Sequence, residues 1–97
     1  MLDLTPAQRK FLKAQAHSLK PVVMIGQAGL TTAVRDEIER SLAAHELIKV
    51  RVLNDDRAAR EAWLTEICAG LGCAPVQHLG KLLLLYKPAE PPRLRLP

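Results

Sequence analysis

The 97-residue sequence predicts an α/β fold, a two-layer α-β-α-β-α-β-β domain with a mixed four-stranded sheet. Three observations lead there. Apolar residues recur at helical spacing in three segments, each opened by a capping residue or glycine turn. Short apolar or alternating runs separate those segments, and strands joined through helices need crossovers and run parallel. Close to the C-terminus, two strand-like runs flank a two-residue glycine turn and must therefore run antiparallel.

The elements follow in order. Thr5-Pro6 reads as an N-cap with proline at the first helical position, where its missing N–H costs nothing. Leu4, Ala7, Phe11 and Ala14 then form an apolar stripe, so residues 5–17 are the first helix. Pro21 to Ile25 is a continuous apolar run of the kind a buried strand needs. Past Gly26 and Gly29, the spacing of Leu30, Val34, Ile38 and Leu42 predicts a second helix to about Ala44. Ile48, Val50 and Val52 alternate with Lys49 and Arg51, a half-exposed strand with a basic outer face. Asp55 or Asp56 caps a third helix lined by Ala59, Trp63, Ile67 and Leu71 and ended by Gly72. Val76–Leu79 and Leu82–Tyr86 close the domain, joined by Gly80-Lys81 with glycine first, as a type II′ turn requires. The domain is expected to span residues 1–87, and residues 88–97, with four prolines, to form a mobile tail.

Composition bounds the function. A chain this short buries only about 60–65% of its unfolded surface, which leaves little room for a deep catalytic cleft. No apolar run approaches the ~18 residues of a membrane span and no secretory signal opens the chain, so no membrane partner and a cytoplasmic location are expected. Cys68 and Cys73, spaced C-x4-C without a second pair, suit neither a disulfide framework nor a zinc site and read as core residues. His17, His45 and His78 fall in separate elements without ligand spacing, so no metal is expected. His45 sits where it favours a helix C-terminus, Trp63 belongs to a helical core stripe, and no serine or cysteine carries a recognisable base and orienter. The net charge of +4 is unevenly distributed. Residues 1–30 hold Arg9, Lys10, Lys13 and Lys20 against Asp3 alone, while residues 31–66 carry eight acids and six bases. A basic face implies a polyanionic partner.

The strand–Gly–helix junction at Gly26-Gln27-Ala28-Gly29 sharpens that implication. A dinucleotide fingerprint would need a third glycine and an acidic residue on the next strand, and position 31 is Thr while that strand offers Lys49 and Arg51. No Gly-Lys-Ser/Thr follows, so the nucleotide-cofactor reading fails and no cofactor is expected. Two explanations stay open: positive φ in a tight βα connection, or close approach of an RNA backbone, as in the G-x-x-G loop of KH domains. Lys10, Lys13 and His17 form one acid-free stripe on the first helix, and Lys20 follows just before the strand, which favours phosphate contact. With Phe11, Trp63 and Tyr86 the only aromatics, a base-stacking sheet is disfavoured.

The segment LKAQAHSLKPVVMIGQAGLTTAVRDEIERSLAAHELIKVRV together with GKLLLLYKP resembles the YhbY family, the stand-alone bacterial form of the CRM domain, over roughly residues 4–88. The resemblance implies a fold similar to the C-terminal domain of translation initiation factor 3, RNA binding, and association with large-subunit ribosomal precursors during ribosome assembly. By position, it assigns RNA contact to Gly26, Gln27, Ala28 and Gly29, with Lys13, His17, Lys20 and Lys49 at matching motif positions. The uncharged Gln27-Ala28 pair would offer backbone N–H groups alone, and Lys87 stands where the family often has arginine. The expectation is a non-enzymatic RNA-binding module using Lys10, Lys13, His17, Lys20, the glycine loop and Lys49, with the helix-three residues Arg57 and Arg60 outside the site. The alternative is a protein-interaction adaptor docking an acidic partner. The oligomeric state is open, a monomer being favoured.

Overall fold

The computed structural model describes residues 2–97. The chain forms α1 (Pro6–Ala16), β1 (Val23–Ile25), α2 (Thr32–His45), β2 (Leu47–Val52), α3 (Arg57–Leu71), β3 (Ala74–Leu79) and β4 (Leu82–Tyr86). Each helix starts where a side-chain oxygen meets an otherwise orphaned N–H. Thr5 and Gln8 form a reciprocal capping box at α1, with bonds of 3.1 and 3.0 Å. Thr31 accepts from Val34 N at α2, and Asp56 accepts from Ala58 N at α3. Gly72 ends α3 in the left-handed region at φ 67°.

The sheet order is β1-β2-β4-β3. β1 pairs parallel with β2, and β4 pairs antiparallel with both β2 and β3. β3 thus runs in the same direction as β2 without touching it, because the hairpin inserts its second strand beside β2. The α/β class, the element order and the mixed four-stranded sheet are those the sequence predicts. The layering differs. Val23, Ile25, Ile48, Val50, Val52, Leu83 and Leu85 face α2 and α3 and form the larger core with Ile38, Leu42, Leu64 and Ile67. The alternate positions Leu47, Leu84 and Tyr86 face the other way and pack with Leu12 and Ala16 of α1. The two-layer arrangement expected from the sequence is therefore corrected to three layers, since β2 and β4 present apolar side chains on both faces. Both thiols lie fully buried in the larger core, 3.5 Å apart, and the hydrogen bond with Cys73 together with burial raises the Cys68 thiol above its ordinary range.

Where the sequence leads one to expect a mobile tail over 88–97, the structure gives that segment an anchor. Glu46, the residue that ends α2, is 1% exposed and holds φ 63°, a region that favours glycine. Its carboxylate accepts from the backbone N–H groups of Ala89, Arg93 and Leu94 at 2.8–3.1 Å, and from Arg93 Nε at 3.4 Å. Arg93 also donates to the carbonyls of Ala43 and Ala44 at the end of α2. Leu94 and Leu96 then pack on the α1-side core. Burial raises the Glu46 pKa, but the backbone and Arg93 hydrogen bonds outweigh it and hold the group below its ordinary 4.5.

That balance sets a pH dependence. Because the folded pKa lies below the unfolded one, the unfolded state binds the extra proton. The stabilisation is complete above about pH 4.5 and is lost as pH falls through the folded value. Glu46→Gln is expected to destabilise the domain by about 1–3 kcal/mol at neutral pH. In urea titrations the gap to wild type should narrow on acidification below the ordinary carboxylate range; a gap that stays constant to low pH contradicts the ionised anchor.

Candidate functional site

Helix α1 lies across the sheet, and its two shoulders differ. Leu12 and Ala16 face the sheet. On one shoulder Gln8 donates to the Pro97 carbonyl, and Phe11, Leu94 and Leu96 pack against the same core, so the C-terminal segment borders that margin. Helical spacing puts Arg9, Lys13, His17 and Lys10 on the other shoulder. There Arg9 Nη1 donates to the carbonyls of Pro75 and Val76, which fixes this side over β3. Lys10, Lys13 and His17 are exposed, and α1 contains no acid to neutralise them. Lys20 is exposed in the segment leading to β1. Lys49 points to the same side of the sheet as α1, half-buried, and its ammonium donates to the Leu19 carbonyl at 2.9 Å. Lys49 thus joins β2 to the end of α1 as well as contributing charge.

The glycine loop sits at the far end of β1. About 13 Å of strand separates Val22 from Gly26, four residues at the usual rise. A turn closes it: Gly29 N donates to Gly26 O at 3.0 Å, with Gln27 and Ala28 exposed at its tip. The two glycines are not equivalent. Gly29 is buried at φ 77°, and a Cβ there would come within 3.1 Å of the Trp63 ring, so the fold itself demands glycine. Gly26 lies outside the left-handed region, and a Cβ on it would meet nothing within 4 Å. The tight-turn explanation accounts for Gly29 and leaves Gly26 without a structural reason.

Between the α1 shoulder and the loop, half of this sheet face is uncovered. Its central residues are Met24, Arg51, Leu79 and Leu82, of which the first three are exposed. Sequence reasoning left these four out of the site. The alternation of Lys49 with Arg51 was the signal that could have included Arg51.

Other cations are engaged elsewhere. Lys87, at the position where the resemblance leads one to expect arginine, donates to the Leu71 carbonyl and closes the C-terminal end of α3. Lys81 pairs with Asp55 at 2.6 Å, and the hydrogen bond and charge of Lys81 lower the Asp55 pKa. Arg57 is exposed on α3, but Arg60 is nearly buried, donating to the Asn54 carbonyl and to His78 Nε2. With Nε2 accepting from Arg60, His78 presents Nδ1 to Glu61, so both ring nitrogens are occupied. Among the described residues no three His, Cys, Asp or Glu side chains gather to hold a metal, and no helix is long and apolar enough to cross a membrane.

Comparison with known proteins places this geometry. A Haemophilus influenzae protein named "RNA-binding protein" is 44% identical over 97 residues, covering 100% of this chain and 98% of its own. A Pseudomonas aeruginosa protein named "Probable RNA-binding protein" is 42% identical over 95 residues, covering 98% and 91%. The solution structure of a hypothetical protein from Staphylococcus aureus superposes with a TM-score of 0.85 at 27% identity, covering 98% of this chain and 100% of that one. The family model of the CRS1 / YhbY (CRM) domain matches residues 4–87. The chain belongs to the CRS1/YhbY (CRM) domain family.

Proposed function

We propose that the protein is a non-enzymatic, cytoplasmic RNA-binding module that grips phosphates through Lys10, Lys13, His17, Lys20 and Lys49 and receives an RNA backbone at Gly26-Gln27-Ala28-Gly29. The observation that carries this reading is the acid-free cationic shoulder of α1, turned toward a sheet face that also lacks acids. The names of the relatives support RNA as the ligand. Gly26 fits backbone approach, because the space a side chain would take there is left open by the rest of the fold. Large-subunit ribosomal RNA is the proposed target, following from the family resemblance, and a monomer is the proposed state. Nuclease digestion of an extract should abolish co-sedimentation with ribosomal particles; co-sedimentation that survives assigns the basic face to a protein partner.

The glycines separate stability from binding. Gly29→Ala should cost about 1–3 kcal/mol of stability through its φ and the Trp63 contact. Gly26→Ala should melt within about 0.5 kcal/mol of wild type yet bind RNA roughly 3- to 10-fold more weakly. Unchanged RNA affinity in a folded Gly26→Ala protein would remove the loop from the interface.

The lysines set the salt dependence. If Lys10, Lys13, Lys20 and Lys49 each neutralise one phosphate of single-stranded RNA, log K against log[salt] has a slope of about −3, at roughly −0.7 per contact. Lys10→Ala, Lys13→Ala and Lys20→Ala should each flatten it by about that increment, with little change in melting temperature. Arg57→Ala, exposed on α3 on the opposite side of the sheet, should leave the slope unaltered; equal flattening there contradicts the assigned face. Arg60→Ala would not serve as a control, since Arg60 supports Asn54 and His78.

A further inference from the structure

A single rung crosses all four strands on the open half of the sheet. Met24 is paired with Arg51, Arg51 with Leu82, and Leu82 with Leu79. Strand alternation turns these side chains away from the α2–α3 core, since Val23, Ile25, Val50, Val52 and Leu83 occupy the other face. Met24 is 53% exposed and Leu79 54%, and Val22 at 45% and Leu53 at 41% extend the strip. Leu19, at 37%, adjoins it beside Lys49. These are the exposed large apolar side chains among the described residues, and one side of one sheet collects them. Scattered exposed leucines need no explanation, but a contiguous apolar strip on a folded domain marks a contact surface.

Charge identifies the occupant. No acidic residue falls at any of the outward positions of the four strands on this side. A guanidinium, Arg51, stands in the middle of the rung and Lys49 is two residues before it on β2; α1 packs on the same side of the sheet, with exposed Lys13 one turn beyond the Arg9 that is tied to β3. The matching ligand carries flat apolar faces on a polyanionic backbone. Unpaired nucleotides have both: bases could lie against Met24, Leu82 and Leu79 and stack on the Arg51 plane while phosphates reach the lysine margin. A duplex cannot use the strip, because its base faces are already stacked inside the helix.

We propose that the open sheet face formed by Met24, Arg51, Leu82 and Leu79 holds a short run of unpaired RNA nucleotides, making the protein a reader of single-stranded RNA segments. This rests on the RNA-binding reading above and adds the form of RNA recognised. No aromatic side chain is needed, which answers the scarcity of aromatics that the sequence shows.

The test compares a mixed-sequence single-stranded RNA with the blunt duplex formed from it and its complement, by fluorescence anisotropy. The proteins are wild type, Met24→Ser/Leu79→Ser, Arg51→Gln and Lys13→Ala. Wild type should prefer the single strand. The double variant, and Arg51→Gln as a second probe of the same rung, should weaken single-strand binding roughly 5- to 10-fold. Duplex affinity should stay unchanged in the double variant, and Lys13→Ala should weaken both ligands. Wild-type single-strand affinity in the double variant and in Arg51→Gln, alongside a loss in Lys13→Ala, overturns the sheet-face proposal and leaves the phosphate-gripping reading standing. Unchanged binding in all variants, Lys13→Ala included, overturns both. A wild-type dimer that Met24→Ser/Leu79→Ser dissociates, with RNA affinity intact, assigns the strip to a second copy of the chain and also overturns the proposal.

Discussion

A single helix is too narrow for the face it covers, and the organisation of this domain follows from that mismatch. Helix α1, with 11 residues, is about 16 Å long, enough to reach across the strands it crosses at roughly 4.8 Å each. Its width is only about 10 Å, whereas β2 and β3, with six residues each, extend roughly 20 Å. About half of that face must therefore stay open or be filled by something else. The opposite face has two helices, α2 and α3, and is closed by the larger core. The margin on one side of α1 is filled by Leu94 and Leu96 of the C-terminal segment, and the margin on the other side is left to Met24, Arg51 and the lysines.

The sealed margin depends on a carboxylate that would be costly if left alone. A buried, ionised glutamate at a helix C-terminus faces both desolvation and the negative end of the helix dipole. Glu46 meets this with three backbone N–H donors and Arg93, whose guanidinium also reaches the last carbonyls of α2. Arg93 is thereby structural, as are Arg9 on the β3 carbonyls, Lys87 on Leu71 and Arg60 on Asn54. Net charge alone would count all four as candidate anion contacts. Setting them aside leaves Lys10, Lys13 and Lys20 free on and beside α1, with Arg51 on the open sheet and Arg40, Arg57 and Arg95 exposed elsewhere among the described residues.

What was legible in the sequence was local. Caps at Thr5 and Asp56, the Gly72 stop and the Gly80-Lys81 hairpin depend on residues a few positions apart, and all appear where expected. The layering was not legible, because the amphipathic stripe of α1 looks the same whichever sheet face it meets. Nor was the role of Glu46, whose partners lie 43 to 48 residues away and leave no periodic trace. The apolar run Pro21–Ile25 reads as a buried strand, yet only Val23 and Ile25 are buried, while Val22 and Met24 stand exposed on the other face. The α1 stripe and the glycine loop were visible as candidate contacts; in the structure Lys20 and the loop flank β1, while Arg9 ties the α1 shoulder to β3 at the other edge of the sheet. The difference between Gly26 and Gly29 needed the Trp63 ring, which the sequence assigns only to a core stripe.

The face made of the α1 shoulder, the open sheet and the glycine loop is the proposed RNA contact. Amide chemical-shift mapping during titration with a single-stranded RNA tests it most directly. The prediction is that perturbations gather on Lys10–Lys20, Met24–Gly29 and Lys49–Arg51, while the outer surfaces of α2 and α3, including Glu39, Arg57 and Glu66, stay unperturbed. Perturbations centred on α2 and α3, with the α1 shoulder and the sheet face silent, would contradict it.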